Sequence, residues 1–478
     1  MARSILNALG KPLYYSDTST GFFSATGSGP NLYGTAKNDS MWGDSSVNVT
    51  MRGGTGDDIY YLYSTINRAV ESAGEGVDTI NTWMGYTLPD NFENLIVTGD
   101  GRNAFGNSID NIISGGSGKQ TIDGGAGNDV LTGAGGADTF VFAKGNGTDL
   151  VTDFGSDDII RLDGYGVTSF DNLISASTQK GADLWLNFDN GESVVLANTT
   201  ADDLNADQFR LSLDRSQLTS TFSDEFNSLS LRNGQTGVWE PKFWWAGNEG
   251  GSLHSNSEQQ WYINPAYQPT SSVNPFSVQN GVLTIKAAPT PDSISDAVNG
   301  YDYTSGMLTT HASFSQTYGY FEIRADMPSD QGTWPAFWLL PTDGTWPPEL
   351  DVIEMRGQNP NSLILSAHSN ATGQQTSSIN NVNVSSTEGF HKYGLLWEAD
   401  HITWYFDDVA IAQIDTPADM HDPMYMIVNL AVGGIAGTPA NGLPNGSEMK
   451  IDYIHAYSIN DPDVAALSQQ APADNLLV

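Results

Sequence analysis

The chain of 478 residues contains no cysteine. Disulfide staples, thiolate metal sites and a cysteine nucleophile are therefore all excluded. It is also poor in positive charge, with 19 Lys and Arg against 56 Asp and Glu and a net charge of −37. Nucleic acid is excluded as a partner, because phosphate binding needs clustered basic side chains. No run approaches the ~18 apolar residues of a membrane-spanning helix, so membrane insertion is not expected. The opening MARSILNALGKPLYYSD has no apolar core of the length a secretory leader needs. A chain this acidic repels itself unless bound cations offset the charge, and without disulfides such cations can also serve as staples.

What is present divides the chain near residue 215. The part before it is rich in regularly placed Gly and Asp, whereas nine of the twelve Trp lie after it. The first part carries a nine-residue period through 106–141, read as GNSIDNIIS, GGSGKQTID, GGAGNDVLT and GAGGADTFV. An isolated copy, GGTGDDIYY, starts at Gly53, and a partial one, GTAKNDSMW, at Gly34. Glycine allows tight turns at positive φ that expose backbone carbonyls, the Asp adds a carboxylate, and the apolar residue two places on points inward. Stacked turns of this kind build a parallel β-roll with calcium between successive loops, and folding is then coupled to the metal.

This pattern resembles the RTX family of calcium-binding repeats. The resemblance implies that Asp57, Asp58, Asp129 and Asp138 stand on or beside ligand positions. It also implies that Gly54, Gly124, Gly127 and Gly133 supply carbonyls or permit the turn. The copy at Gly115 has Gln120 where Asp is expected, so this turn is expected to bind weakly. DLWLNF and SVVLAN look like capping strands. The family implies export without a leader through the type I secretion machinery, and hence an extracellular location. The ending SQQAPADNLLV, with Asp474, Leu476, Leu477 and Val478, fits its C-terminal export signal.

After Thr219 the texture becomes strand-like alternation separated by Gly, Pro and Asn turns, as in a sandwich or barrel. Within ELDVIEM, Glu349 and Asp351 share one strand face, and Leu350 and Val352 share the other. Glu354 joins the first face only if a β-bulge follows Asp351. Three acids on one face are costly unless their protonation is split, and retaining glycoside hydrolysis needs that split, one carboxylate as nucleophile and one carboxylic acid as proton donor. A solvated acidic strand is the alternative reading of the motif alone.

YGYFEIRADMP, GTWPAFWLLP, ELDVIEM, GFHKYGLLWEADHITWYFDD and VNLAVGG follow one another as in glycoside hydrolase family 16, and TFSDEFN and SEQQWY open the domain similarly. The resemblance covers about 219–458. It implies a concanavalin-like β-jelly roll with a concave cleft, so the whole chain is expected to be all-β. The expected domains are a calcium-binding roll over 1–215, a catalytic domain over 216–460 and a tail over 461–478.

By position the family implies Glu349 as nucleophile, Glu354 as acid/base and Asp351 as the residue that hydrogen-bonds the nucleophile. E-x-D-x-x-E matches the bulged branch of laminarinases, agarases and carrageenases. Trp334 and Trp338 share a face and are read either as sugar platforms or as plain core. Glu322 and Arg324 match positions that bind a sugar on the non-reducing side, with an exposed ion pair as the alternative. His368 is a candidate for a hydrogen bond near the cleavage point, with a purely structural histidine as the other reading. Asn256 and Trp261 are further cleft candidates. Asp452 matches a position that binds a structural calcium on the convex side. The combination of repeats and catalytic domain is similar to secreted rhizobial glycanases that depolymerise the acidic exopolysaccharide succinoglycan. A laminarinase, or a non-catalytic adhesin, is the rival reading.

Overall fold

The computed structural model describes residues 21–24, 31–43, 45–384 and 386–459, together with the short strands Ile5–Leu6 and Pro12–Leu13. The C-terminal residues read as an export signal lie outside the described residues. Two compact units are present, Met1–Ser212 and Leu213–Val478, dividing three residues before the boundary expected from composition. Arg215 belongs with the second unit, where it pairs with Glu322 and Asp408.

The first unit is a parallel β-roll. Its coils pair in register, so Met41, Tyr60, Ile80, Leu95, Ile113, Leu131 and Val151 follow one another up one sheet. Ala104, Ile122, Phe140 and Ile160 do so up another. All of these side chains are essentially buried. Each is the apolar residue of its repeat or the equivalent, so one repeat alone buries nothing and stacking creates the core. At the C-terminal end of the longest sheet Thr178–Lys180, Asp183–Asn187 and Ser193–Leu196 pair antiparallel, which ends the parallel stack.

The second unit is a two-sheet sandwich. The strands that matter for the site are β1 (Gly319–Asp326), β2 (Thr333–Pro341), β3 (Glu349–Met355), β4 (Ser362–Ser369), β5 (Met424–Val432) and β6 (Ser447–Ile459). One sheet runs in the order Met307–Thr309, β5, β2, β3, β4, Thr376–Asn383, and β1 and β6 belong to the other. The inner faces meet in one core that includes Phe321, Ile323, Phe337, Leu339, Leu350, Leu365, Val428 and Ile454. Burial of those side chains, at about 25 cal/mol per Å² of apolar surface, is what holds the sheets face to face.

Candidate active site

The outer face of the β2–β3–β4 sheet carries a cleft of about 970 Å³ lined by Glu349, Asp351, Glu354, Trp334, Trp338 and His368, among others. The bulge that the sequence required is present. Trp338 pairs with Asp351 but Phe337 with Ile353, so the register slips by one residue at Val352. A second slip occurs against β4 between Asp351 and Glu354. Val352 and Ile353 both enter the core, and Glu354 returns to the side of Glu349 and Asp351.

Each outer acid has a fixed donor. The Trp346 indole Nε1–H donates to Glu349 Oε2 at 2.8 Å, and the Trp334 indole Nε1–H donates to Glu354 Oε1 at 2.8 Å. Asp351, between them and almost fully buried, is in hydrogen-bonding contact with Glu349 and Ser366. His368 stands opposite Glu349 on β4. Its Nε2 is 3.3 Å from Asp351 and 3.8 Å from Glu349, and its Nδ1 meets Ser377 Oγ at 2.7 Å.

Burial pushes all three carboxyls above the ordinary range. The charge of Asp351 adds to the rise at Glu349, and that of Glu354 adds to the rise at Asp351, whereas His368 and the two indoles pull the outer acids back. Three acids this close cannot all ionise, so the set holds protons near neutrality. Asp351 and Glu349 share a hydrogen bond, so one proton held between them serves both groups. The set can therefore offer a carboxylate and a carboxylic acid on one face. Glu349, Asp351 and His368 also offer ligand atoms within 4.8 Å of one another and could hold a metal ion.

Of the other residues expected in the cleft, Asn256 and Trp334 line it. Trp338 also faces it, but only 8 % of its surface is accessible and its Nε1–H donates to Asn429 Oδ1 at 2.7 Å, so it forms floor rather than platform. Trp261 is a correction: it packs with Ile263, Ile294 and Val298 in a separate small core and donates to the Glu249 carbonyl.

Glu322 and Arg324 are corrected too. β1 is in the opposite sheet, and because Phe321 and Ile323 fill the core, the alternate residues face away from the cleft. There Glu322 is buried and bonded by Arg215, Tyr320 Oη and Tyr453 Oη, while Arg324 pairs with Asp452. Asp452, expected at a structural calcium site, is thus the ion-pair partner of Arg324 on this face, with both side chains more than a third exposed.

The sequence reading missed Trp244, Trp245 and Trp346, which line the cleft with 43 %, 48 % and 57 % of their surface exposed. Exposed indoles beside a carboxylate set are the natural surfaces for sugar rings. The dipeptide Trp244–Trp245 was the available signal. Glu258 was missed as well. It lines the cleft, accepts from Leu253 N and Gln260 Nε2, and is pushed up to about 7 by burial.

In the roll, each repeat Asp accepts an N–H from the preceding coil. Asp58 Oδ1 takes Asp39 N at 2.7 Å, Asp129 Oδ1 takes Asn111 N at 2.6 Å, and Asp138 Oδ1 takes Gln120 N at 2.9 Å. The second oxygen faces the turn glycine. A Cβ on Gly124 would come within 2.1 Å of Asp129 Oδ2, and one on Gly133 within 2.4 Å of Asp138 Oδ2. Gly127 sits at φ +132° and turns its carbonyl toward Gly147 of the next coil. Asp57 lies beside the column and accepts Val77 N at 3.0 Å. Asp39 Oδ1 and Asp58 Oδ2 are buried and have no hydrogen-bond donor among the described residues. Buried carboxylate oxygens facing carbonyl-lined turns fit calcium, a hard cation that takes oxygen ligands. At the imperfect copy, Gln120 completes the turn differently: its Oε1 accepts Gly116 N at 2.8 Å and its Nε2 donates to the Arg102 carbonyl at 2.7 Å. An amide N–H thus stands where a cation would.

The model of "Glycosyl hydrolases family 16" matches residues 263–455, and the RTX calcium-binding nonapeptide repeat matches 31–60, 105–140 and 114–149. Endo-1,3-1,4-beta-glycanase ExsH of Rhizobium meliloti (strain 1021) is 72 % identical over 460 residues, 96 % of this chain and 99 % of that protein. The chain belongs to glycosyl hydrolase family 16. Endo-1,3-1,4-beta-glycanase EglC of the same organism is 66 % identical over the same shares of both chains. A beta-glucanase of Rhodothermus marinus is 32 % identical over 260 residues, 49 % of this chain and 84 % of its own length. This family 16 chain is thus a glycoside hydrolase acting on a polysaccharide, and it carries RTX calcium-binding repeats. The acidic strand ELDVIEM lies inside the family 16 match, and the Asp column of the roll begins inside the repeat match.

Proposed function

We propose that the enzyme is a secreted endo-1,3-1,4-β-glycanase that cleaves β-glucosidic bonds within an acidic exopolysaccharide, with succinoglycan as the substrate, and retains anomeric configuration. The observation that carries the mechanism is the bulge at Val352, which sets Glu349 and Glu354 on one cleft wall with Asp351 between them. In retaining enzymes the two working carboxyls stand about 5–5.5 Å apart, too close for an intervening water. Glu349 Oε attacks the anomeric carbon while Glu354 gives its proton to the departing glycosidic oxygen. The product is a glycosyl ester on Glu349. Water then attacks that carbon, Glu354 takes the water's proton, and Glu349 leaves as carboxylate. Asp351 stays protonated and donates to Glu349, holding the nucleophile ionised and aimed.

Substrate and linkage rest on the likeness to the two rhizobial glycanases over nearly the full chain. The indoles of Trp244, Trp245 and Trp346 would stack on sugar rings, and His368 would hydrogen-bond a sugar near the scissile bond. With a net charge of −37 the enzyme exerts no long-range attraction on an acidic polymer, so recognition is local. Calcium would fill the turns at Gly53, Gly124 and Gly133, contributing to folding after export by the type I machinery. The test is digestion of purified succinoglycan, laminarin and mixed-linkage glucan with product-size and linkage analysis. Succinoglycan viscosity should collapse before many reducing ends form. Cleavage of laminarin alone would overturn the substrate, and release of single sugars without viscosity loss would overturn the endo mode.

A further inference from the structure

Between the first repeats and the later block runs a stretch, 63–93, that no nonapeptide pattern covers, yet it stacks in the same roll. The register of Thr50–Arg52 against Arg68–Ala69 places Glu71 where Gly53 stands one coil earlier. Thr79 follows Ile59 in the same way, so Asp78 continues the column of Asp39 and Asp58. The turn from Glu71 to Asp78 is two residues longer than that from Gly53 to Asp58. A carboxylate side chain thereby occupies a place that one coil earlier admits only glycine, since a Cβ on Gly53 would come within 1.9 Å of Asp58 Oδ2.

The result is three carboxylates in contact, with ligand atoms of Asp58, Glu71 and Asp78 all within 4.8 Å of one another and all three residues buried. Two of their oxygens, Asp58 Oδ2 and Glu71 Oε2, have no hydrogen-bond donor among the described residues, and these residues are 0 % and 6 % exposed. Asp78 Oδ1 accepts Asp58 N at 2.9 Å, and Glu71 Oε1 accepts from the Tyr60 hydroxyl. The charged side chains that act on the three are Asp39, Asp57, Glu75 and Glu93, all of them acidic. Asn91 Nδ2 also reaches this turn, but it donates to the Glu71 backbone carbonyl at 3.1 Å and not to the carboxylates. Taking three ionised carboxylates out of water without a cation is prohibitive, so the set must either hold protons or bind a cation, and three oxygen donors suit a hard divalent ion.

We propose that Asp58, Glu71 and Asp78 hold a calcium ion inside the roll, at a site the nonapeptide pattern does not mark. Asp58 is shared with the repeat turn, and Glu71 and Asp78 are specific to this site. The inference rests on the reading of the roll as calcium-binding and adds a site to it. The long turn thus keeps the metal column continuous across a break in the repeat, from Asp39 toward Glu93.

The test is calcium titration of the full chain after chelator treatment, comparing the unsubstituted protein with Glu71→Gln and Asp78→Asn, each refolded in calcium and checked by circular dichroism. Both changes keep side-chain size and remove one charge. Each variant should bind one ion fewer per chain, with the remaining ions and the glycanase activity retained. An unchanged ion count would overturn this site while leaving the repeat sites standing. No bound calcium in the unsubstituted protein would instead overturn the calcium reading as a whole. If either variant fails to fold, Tb³⁺ in place of calcium reports on the other proteins. Emission excited through tyrosine should fall in Tyr60→Phe at an unchanged number of bound ions, and unchanged emission would count against the site.

Discussion

Val352 and Ile353 are neighbours in sequence, yet both side chains enter the sandwich core. An unbroken strand would send one of them to the cleft. This doubling is the bulge seen from inside, and it decides that Glu354 lies beside Glu349 rather than behind it.

Replacement of the nucleophile is the simplest consequence. Glu349→Gln should lower hydrolysis by roughly four orders of magnitude or more, since residues acting as one unit fail together. Polysaccharide binding should persist. Azide should restore turnover and give a glycosyl azide of inverted configuration. Turnover like that of the unsubstituted enzyme would remove Glu349 from its role.

Trp334 tunes the second acid. Its indole N–H stabilises the ionised form of Glu354, opposing the rise that burial causes. In Trp334→Phe the carboxyl should therefore rise further, and the alkaline limb of the pH–rate profile should move to higher pH. A hydrogen bond to a charged group contributes about 1.5–3 kcal/mol, so turnover should change by about ten- to a hundredfold. A limb that stays in place would show that Trp334 does not act on the proton donor.

The corrected pair on the far face gives a contrast. Arg324→Ala should leave kcat/KM on polysaccharide within about twofold, because surface ion pairs contribute only about 0–1 kcal/mol. Arg215→Ala should instead lower stability by about 1.5–3 kcal/mol, since it removes a charged hydrogen bond from the buried Glu322, which keeps its two tyrosine donors. Activity of the folded fraction should remain. Thermal unfolding and steady-state kinetics on the same samples separate the two effects.

These residues show how far the sequence could be read. Alternation in YGYFEIRADM correctly turned Glu322 and Arg324 away from the core, but alternation names a face of a strand and not the sheet to which the strand belongs. Long-range pairing alone puts β1 opposite the cleft. The acidic triplet and its bulge were legible because a strand has a fixed period, and a third acid out of phase demands an extra residue. Trp338 looked like Trp334, and only Asn429, far along the chain, ties its indole into the floor. In the roll the nonads were legible as a period. Glu71 and Asp78 were not, because the longer turn hides the column that register restores.

Calcium and pH should act together on the first unit. Without cation, burial raises Asp58 to about 7, Asp78 to about 8 and Glu71 to about 9. Raised carboxyls bind more protons folded than unfolded, so stability must fall as pH rises from about 4, the unfolded value, through about 9. In chelator, the strand signal of the first unit should therefore melt at progressively lower temperature from pH 5 to pH 9. Excess calcium should abolish that slope. A melting temperature that climbs with pH in chelator would contradict the buried-acid account.

The most direct measurement is proton NMR of the first products released from a β-glycan chain. Two carboxyls on one wall, with the nucleophile in direct reach, require two inversions at the anomeric carbon. The β anomer should therefore appear first, with the α form growing in only by mutarotation. Immediate α product would mean a single displacement by water, and the roles given to Glu349 and Glu354 would be wrong.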